Sequence, residues 1–291
     1  MSQYSFQRSF ADEYGVSEKL FELLEIVFPG ISNGAVQIKQ LGVAWEDAST
    51  PFIYFHNNIA ITHVGVLKIP MQIMNDTMTV GGIHAVATHP EFRRRGYYRE
   101  VMEEVLTYCD QLYKTLVLTT SNPEFYTPFG FRIIPEYIFK TKCKAQVGSN
   151  GFRVLNIADH QDVELLHRLL ERRSPVSHIL GVVNEKPLFC FNEGSRILYY
   201  AADLDLICCM NIENNQLHLF DVVATQIYPL TEILARIPQL IAEVFIYFSP
   251  EMLDLEDIQA VPYQLEDGVL MVRGEFAAEG QKFMLPRSAR C

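Results

Sequence analysis

His89-Pro90-Glu91-Phe92-Arg93-Arg94-Arg95-Gly96-Tyr97-Tyr98-Arg99 stands between a strand-like run and a helix-like run, in the pattern of a loop that holds a pyrophosphate. The run before it, Met78 to Thr88, is rich in β-branched residues and stops short of Pro90, as a strand entering a turn does. From Tyr98 onward Val101, Met102, Val105, Leu106, Cys109 and Leu112 recur at helical spacing, which predicts a helix to about Tyr113. Gly96 falls at the start of that helix. The first N–H groups of a helix lack intrahelical partners and carry the positive end of the macrodipole, and a glycine there lets a phosphate come close to the backbone. Arg93, Arg94, Arg95 and Arg99 add positive charge. Taken alone, the same residues also read as a solvated basic face with a plain turn glycine.

The segments that follow narrow the choice. Thr115 to Thr120 is a short β-type run, then come Ser121-Asn122-Pro123, then Glu124-Phe125-Tyr126-Thr127-Pro128-Phe129-Gly130-Phe131, then a β-type run to about Thr141. In this order the chain resembles the GCN5-related N-acetyltransferases (GNAT superfamily). Their acyl-CoA signature is Gln or Arg, two residues, Gly, one residue, then Gly or Ala; here it is met by Arg93 and Gly96, with Tyr98 departing at the last position. Tyr126 to Phe131 matches the family's Tyr-x-x-x-Gly-Phe element in full, and Pro90 to Gly96 looks most like the enhanced intracellular survival (Eis)-like branch. The resemblance covers Ile59 to Lys142.

The chain has 291 residues, 49% of them hydrophobic, enough for two domains of roughly 150 residues. No apolar run approaches the roughly 20 residues that span a bilayer, and Met1 to Arg8 has no apolar signal core, so a cytoplasmic location is expected. Cys109, Cys143, Cys190, Cys208, Cys209 and Cys291 show no metal-binding spacing; free thiols and no metal are expected. A net charge of −11 argues against nucleic acid or an anionic membrane as partner and favours a cationic one. Against that background the Arg93–Arg99 cluster gains specificity.

Along the chain, a helix is predicted over Ser17 to Val27, and strands over Ile53 to Phe55, Ile59 to Met71 and Met78 to Thr88. Polar Lys142 to Asn150 is the linker candidate, giving domains 1–145 and 151–291. The second half repeats the rhythm of the first: a strand over Phe152 to Ala158, a helix over Asp162 to Arg172, strands from Ile197 to Ala224, a helix over Pro229 to Arg236, a strand over Val244 to Phe248, and a strand pair near Gln264 and Met271. At the place of the anion loop it has Gln226-Ile227-Tyr228-Pro229, with neither Gly nor Arg. The expected fold is α/β (α+β): tandem GNAT-like domains with mixed, mostly antiparallel sheets flanked by helices, the second copy degenerate. The alternative is an unrelated α+β domain.

The resemblance then implies the chemistry. The co-substrate is acetyl-CoA, its pyrophosphate on the loop Arg93, Arg94, Arg95, Gly96, Tyr97, Tyr98 and Arg99, its pantetheine arm along Val86, Ala87 and Thr88, and its far side near Ser121 and Asn122. Tyr126 is the candidate general acid for the departing thiolate. His84 on the key strand is a candidate base, although a lone strand His is more often structural. In the Eis-like branch the chain's terminal carboxylate is implicated, carried by a third domain; this chain is too short for that domain, but Met284 to Cys291 could fold back. The expected function is acetyl-CoA-dependent N-acetyl transfer to a small-molecule or peptide primary amine, with a cationic acceptor. The alternative is a non-catalytic acyl-CoA-binding or protein-interaction module of the same fold. Acceptor identity and homo-oligomerisation are left open by the sequence.

Overall fold

Two sheets flanked by helices make up the computed structural model, which describes residues 4–7, 9–10, 15–143, 147–264 and 268–291. The first sheet begins with β1 (Tyr4–Gln7), antiparallel to β2 (Ser49–His56). Long runs of apolar and β-branched residues then form the hairpin of β3 (Ile59–Ile73) and β4 (Asp76–Thr88), turned by Met74 and Asn75 in the left-handed region. The register of this hairpin slips once. His63 pairs Ala87 and Gly65 pairs His84, so Ala85 and Val86 together face Val64, and Ala85 is bulged out at φ 48°.

Between β1 and β2 the chain forms α1 (Val16–Val27), α2 (Ile31–Gln40) and α3 (Trp45–Ala48). α1 buries Val16, Leu20, Leu23 and Leu24 on one face, against Ile53, Phe55, Ala60 and Ala87 of the sheet. On the opposite face lies α4 (Tyr97–Cys109), whose Val101, Met102, Val105 and Cys109 pack on Phe52, Val64, Ile83 and Leu118. The helix predicted to reach Tyr113 ends at Cys109, where the chain turns towards β5 (Thr115–Thr120).

β5 runs parallel to β4 and pairs with it at Gly81–Leu116 and Gly82–Val117. Past those two registers the strands part and leave a notch. The far side of β5 is covered by β15 (Val269–Gly274), which pairs in turn with β6 (Arg132–Ile133). β7 (Glu136–Lys142), from the first half of the sequence, lies in the other sheet between β13 (Glu243–Ile246) and β14 (Gln259–Tyr263). The halves thus exchange strands reciprocally. The division expected between 145 and 151 falls after the chain has already entered the second sheet, because strand periodicity does not say which sheet a strand joins. Residues 144–146 of the expected linker, and 265–267 between β14 and β15, lie outside the described residues.

The second sheet runs β14, β7, β13, β12 (Gln216–Ala224), β11 (Leu206–Glu213), β10 (Leu198–Ala201), β8 (Phe152–Val154). Its one parallel pair among the described residues, β12 with β13, mirrors β4 with β5. α5 (His160–Arg172) opens on an Asp159 cap and buries Leu166, Leu169 and Leu170. β9 (Leu180–Val182) adds to β3, and α6 (Pro187–Glu193) precedes β10. The counterpart of α4 is α7 (Leu230–Leu234), five residues against thirteen and opened by Pro229. One continuous core joins both halves, with Trp45, Ile69 and Val80 from the first and Leu169, Phe189 and Phe283 from the second. No helix among the described residues is long and apolar enough to cross a membrane.

Candidate active site

The loop after β4 is shaped by local rules. His89 accepts from the Glu91 amide through Nδ1, and Pro90 opens a 3₁₀ turn to Phe92. Arg94 at φ 63° and Gly96 at φ 91° then turn the chain into α4. Gly96 is the N-cap and offers no side-chain cap, so the first amides of α4 remain available to an anion. The arginines spread around this point. Arg93 Nε donates to Thr88 O at 3.2 Å, and the Arg95 and Arg99 guanidinium groups stand over the Phe92 and Phe129 rings at 5.2 and 5.7 Å.

Tyr98, the residue at the departing position of the signature, turns its side chain away from the loop. Its hydroxyl donates to Phe125 O at 3.0 Å, and its ring meets those of Tyr126 and Phe129 edge-on. Tyr98 therefore supports the turn that carries Tyr126. That turn is two 3₁₀ segments, Pro123–Phe125 and Thr127–Phe129, with Tyr126 between them. Tyr126 is buried among apolar side chains, and burial pushes its phenol up to about 12, against a hydrogen bond with Thr120 that acts the other way. It keeps its proton at neutral pH and can donate it.

His84 and His63 flank the β4 bulge. His84 Nε2 lies 2.7 Å from Ser49 Oγ, and His63 Nδ1 donates to Ala85 O at 2.8 Å. Burial drives the His84 pKa well below its ordinary value, with the neighbouring His63 adding to the effect; burial also takes His63 down to about 4. Both are neutral imidazoles at pH 7.

All fourteen predicted site residues border one cavity of about 990 Å³: His84, Val86, Ala87 and Thr88 on β4, Arg93 to Arg99 on the loop and α4, Ser121 and Asn122 after β5, and Tyr126. Residues outside that set also line the cavity. Val27 and Phe28, at the end of α1, border the cavity, as do Thr119 and Glu124. Most telling is Cys291. The tail Met284 to Cys291 folds back, Thr119 N donates to Cys291 O at 2.7 Å, and Cys291 Sγ lies 3.8 Å from Val117 O inside the β4–β5 notch.

Three buried carboxylates hold that tail. Glu136 binds Arg290 through both oxygens (3.0 and 2.7 Å), Glu193 does the same with Arg287 (2.7 and 2.8 Å), and Asp221 accepts from Ser288 and from buried Arg173. The sequence signal was acidic residues set within apolar runs, matched by Arg287, Ser288 and Arg290. Among the described residues, no group of His, Cys, Asp or Glu is arranged to hold a metal ion.

Residues 7–134 match the model of the acetyltransferase (GNAT) domain. No curated protein sequence matches the chain. Among solved structures, a protein of unknown function from Enterococcus faecalis V583, described as a probable N-acyltransferase, superposes at TM-score 0.60 with 14% identity, over 94% of this chain and 73% of that one. Eis1 from Mycobacterium abscessus superposes at TM-score 0.58 with 13% identity, over 93% and 73%. A putative acetyltransferase from Pyrococcus horikoshii gives TM-score 0.52 and 13% identity over 99% and 96%. At these identities the likeness is one of fold. Residues 7–134 thus resemble a GNAT acetyltransferase domain, within a chain whose two sheets follow a tandem GNAT-like plan.

Proposed function

We propose that the protein transfers the acetyl group of acetyl-CoA to a primary amine. The observation that carries this reading is the single cavity in which an uncapped helix start ringed by arginines, the open edge of β4, a protonated tyrosine and a neutral histidine meet. The pyrophosphate lies on the amides of Arg95 to Tyr98. The pantetheine arm adds as a strand to the edge of β4 past Gly82, where β5 has turned away. The amine nitrogen attacks the thioester carbon and gives a proton to His84; the carbon–sulfur bond breaks and Tyr126 supplies the proton to sulfur. The products are the N-acetyl amine and CoA. The second half, from about 151, contributes strand β15 and the tail while binding no CoA itself, since five-residue α7 opens on Pro229 without Gly or Arg.

A cationic acceptor is favoured by the net charge of −11, while the cavity lining among the described residues offers one side-chain carboxylate, Glu124. Steering by net charge is screened over a Debye length of about 8 Å at physiological ionic strength, so the second-order rate for the acceptor should fall as salt rises. The reading is tested by CoA release from acetyl-CoA over a panel of aminoglycosides, polyamines, amino acids and peptide N-termini. Turnover with any amine, lost in Tyr126→Phe, supports it. Tight acetyl-CoA binding with no turnover over the whole panel would favour the non-catalytic acyl-CoA-binding module.

A further inference from the structure

Gly65 is where the first sheet makes room for His84. The two residues pair across β3 and β4, and a Cβ on Gly65 would come within 2.2 Å of His84 Nε2 and 2.6 Å of Cε1. The imidazole therefore crosses β3 above a residue without a side chain and reaches β2, where Nε2 meets Ser49 Oγ at 2.7 Å. The Trp45 ring closes on it edge-on, centroids 5.0 Å apart. His84 and Ser49 are both buried, so their geometry is fixed. With Nε2 committed to Ser49, Nδ1 is the nitrogen left for the acetyl-CoA cavity that His84 borders.

The direction of that hydrogen bond turns on where the Ser49 proton points. Ser49 also borders a second opening of about 660 Å³ at the start of β2, lined among others by the carboxylates Glu46 and Asp47. A serine hydroxyl has one proton to give and two lone pairs to receive. With the hydroxyl proton turned to that opening, Ser49 Oγ receives the Nε2–H of His84, and Nδ1 is left bare as the acceptor.

We propose that Ser49 is a positioning residue that holds His84 in the Nε2–H tautomer across the gap at Gly65 and presents Nδ1 to the attacking amine. The inference rests on His84 as the proton acceptor in the reaction proposed above. The amine proton passes to Nδ1, the imidazolium keeps Nε2–H on Ser49 Oγ, and the Nδ1 proton leaves to solvent after the amide departs. An imidazole held in the wrong tautomer does not accept the proton, whatever its pKa.

Two measurements on the full chain separate this inference from the reading beneath it. Long-range proton–nitrogen spectra of ¹⁵N-histidine-labelled protein, with His84→Gln assigning the signal, should show Nε2 protonated and Nδ1 bare in the parent and in Ser49→Thr. Ser49→Ala should give a mixture of tautomers, and so should Gly65→Ala, whose methyl displaces the ring. Finding Nδ1–H in the parent, or an unchanged signal in Ser49→Ala, overturns the positioning role. CoA release with the fastest amine of the panel should drop about tenfold or more in Ser49→Ala with acetyl-CoA affinity unchanged, and recover to within about threefold in Ser49→Thr. A Ser49→Ala rate equal to the parent's also overturns the proposal. If His84→Gln turns over like the parent while the tautomer behaves as described, it is the base assignment that fails.

Discussion

The main-chain N–H of Thr119 donates to the carbonyl of Cys291 at 2.7 Å, which seats the last residues of the sequence in the notch between β4 and β5. The bond is made possible one residue earlier, where Arg290 is locked onto buried Glu136 and onto Leu285 O. Removing one partner of a buried ion pair leaves a charge without compensation and costs about 3–5 kcal/mol. Arg290→Met should destabilise the fold by about that amount in urea denaturation. It should also lower turnover by freeing Cys291 from Thr119. Adding Glu136→Leu should restore most of the stability without restoring turnover, and full turnover in Arg290→Met would separate the tail from the site.

Gly96→Val should weaken acetyl-CoA binding. Gly96 sits at φ 91°, where a β-branched residue is strained by about 1–3 kcal/mol, although a Cβ there meets nothing closer than Glu100 at 3.9 Å. The loss thus comes from a displaced helix start rather than from a clash. Calorimetric titration should show affinity lowered at least about tenfold, the equivalent of about 1.4 kcal/mol.

Tyr126→Phe keeps the ring against Phe131 and Tyr98 and deletes the hydroxyl. Acetyl-CoA affinity should hold, while turnover should fall by about a hundredfold to ten-thousandfold, as loss of a general acid does. Because the phenol is held up near about 12, its ionisation should produce no alkaline decline in rate through the neutral range. A Phe variant within about threefold of the parent would remove Tyr126 from the chemistry.

One acetyl-CoA should bind per chain. The second sheet reproduces the parallel pair of the first, but Gln226 to Pro229 replaces the arginine loop and α7 is a turn and a half long. A calorimetric stoichiometry near two, persisting in Gly96→Val, would contradict this.

Acid should destabilise the fold through His63. Its ordinary pKa is 6.5 and burial brings it to about 4 in the native state, so above pH 6.5 neither state is charged and the group contributes nothing. As pH falls below 6.5 the unfolded chain takes a proton that the native site refuses, and stability drops until about pH 4, by about 3 kcal/mol in all at 1.36 kcal/mol per pKa unit. Glu185, raised by burial to about 7, acts in the opposite sense over much of the same window, since the native state protonates it first. The quantity to compare is therefore the difference between parent and His63→Asn. Unfolding midpoints from pH 7 to pH 5 should decline more steeply in the parent.

Much of the site was legible because it is local in sequence. Thr115 to Thr120 is a strand with the bounds read from its composition, and the loop from Arg93 to Gly96 follows from glycine and helix-start physics. What periodicity missed was of two kinds. α2 carries Gly34 in its interior, which weakens a helix reading, and β9 spans three residues, too few for a periodic signal. The placement of β7, β15 and the tail depends on partners more than a hundred residues away, such as Arg290 with Glu136 and Val272 with Val117. Ser49 belongs to this second kind, since its meaning appears once Gly65 brings His84 across β3.

The exchange of β7 and β15 also sets an order of events in time. During synthesis, β5 emerges long before β15, and β7 before β13, so the first half leaves the ribosome with one wall of the β4–β5 notch bare and one of its own strands unmatched. A nascent chain stopped at residue 145 carries every arginine of the anion loop and Tyr126, yet has neither the strand that backs β5 nor the residue that bonds Thr119. The proposed transfer therefore waits on residues 269–291, and fragments cut at the apparent domain boundary should expose sticky β-edges instead of forming the candidate site.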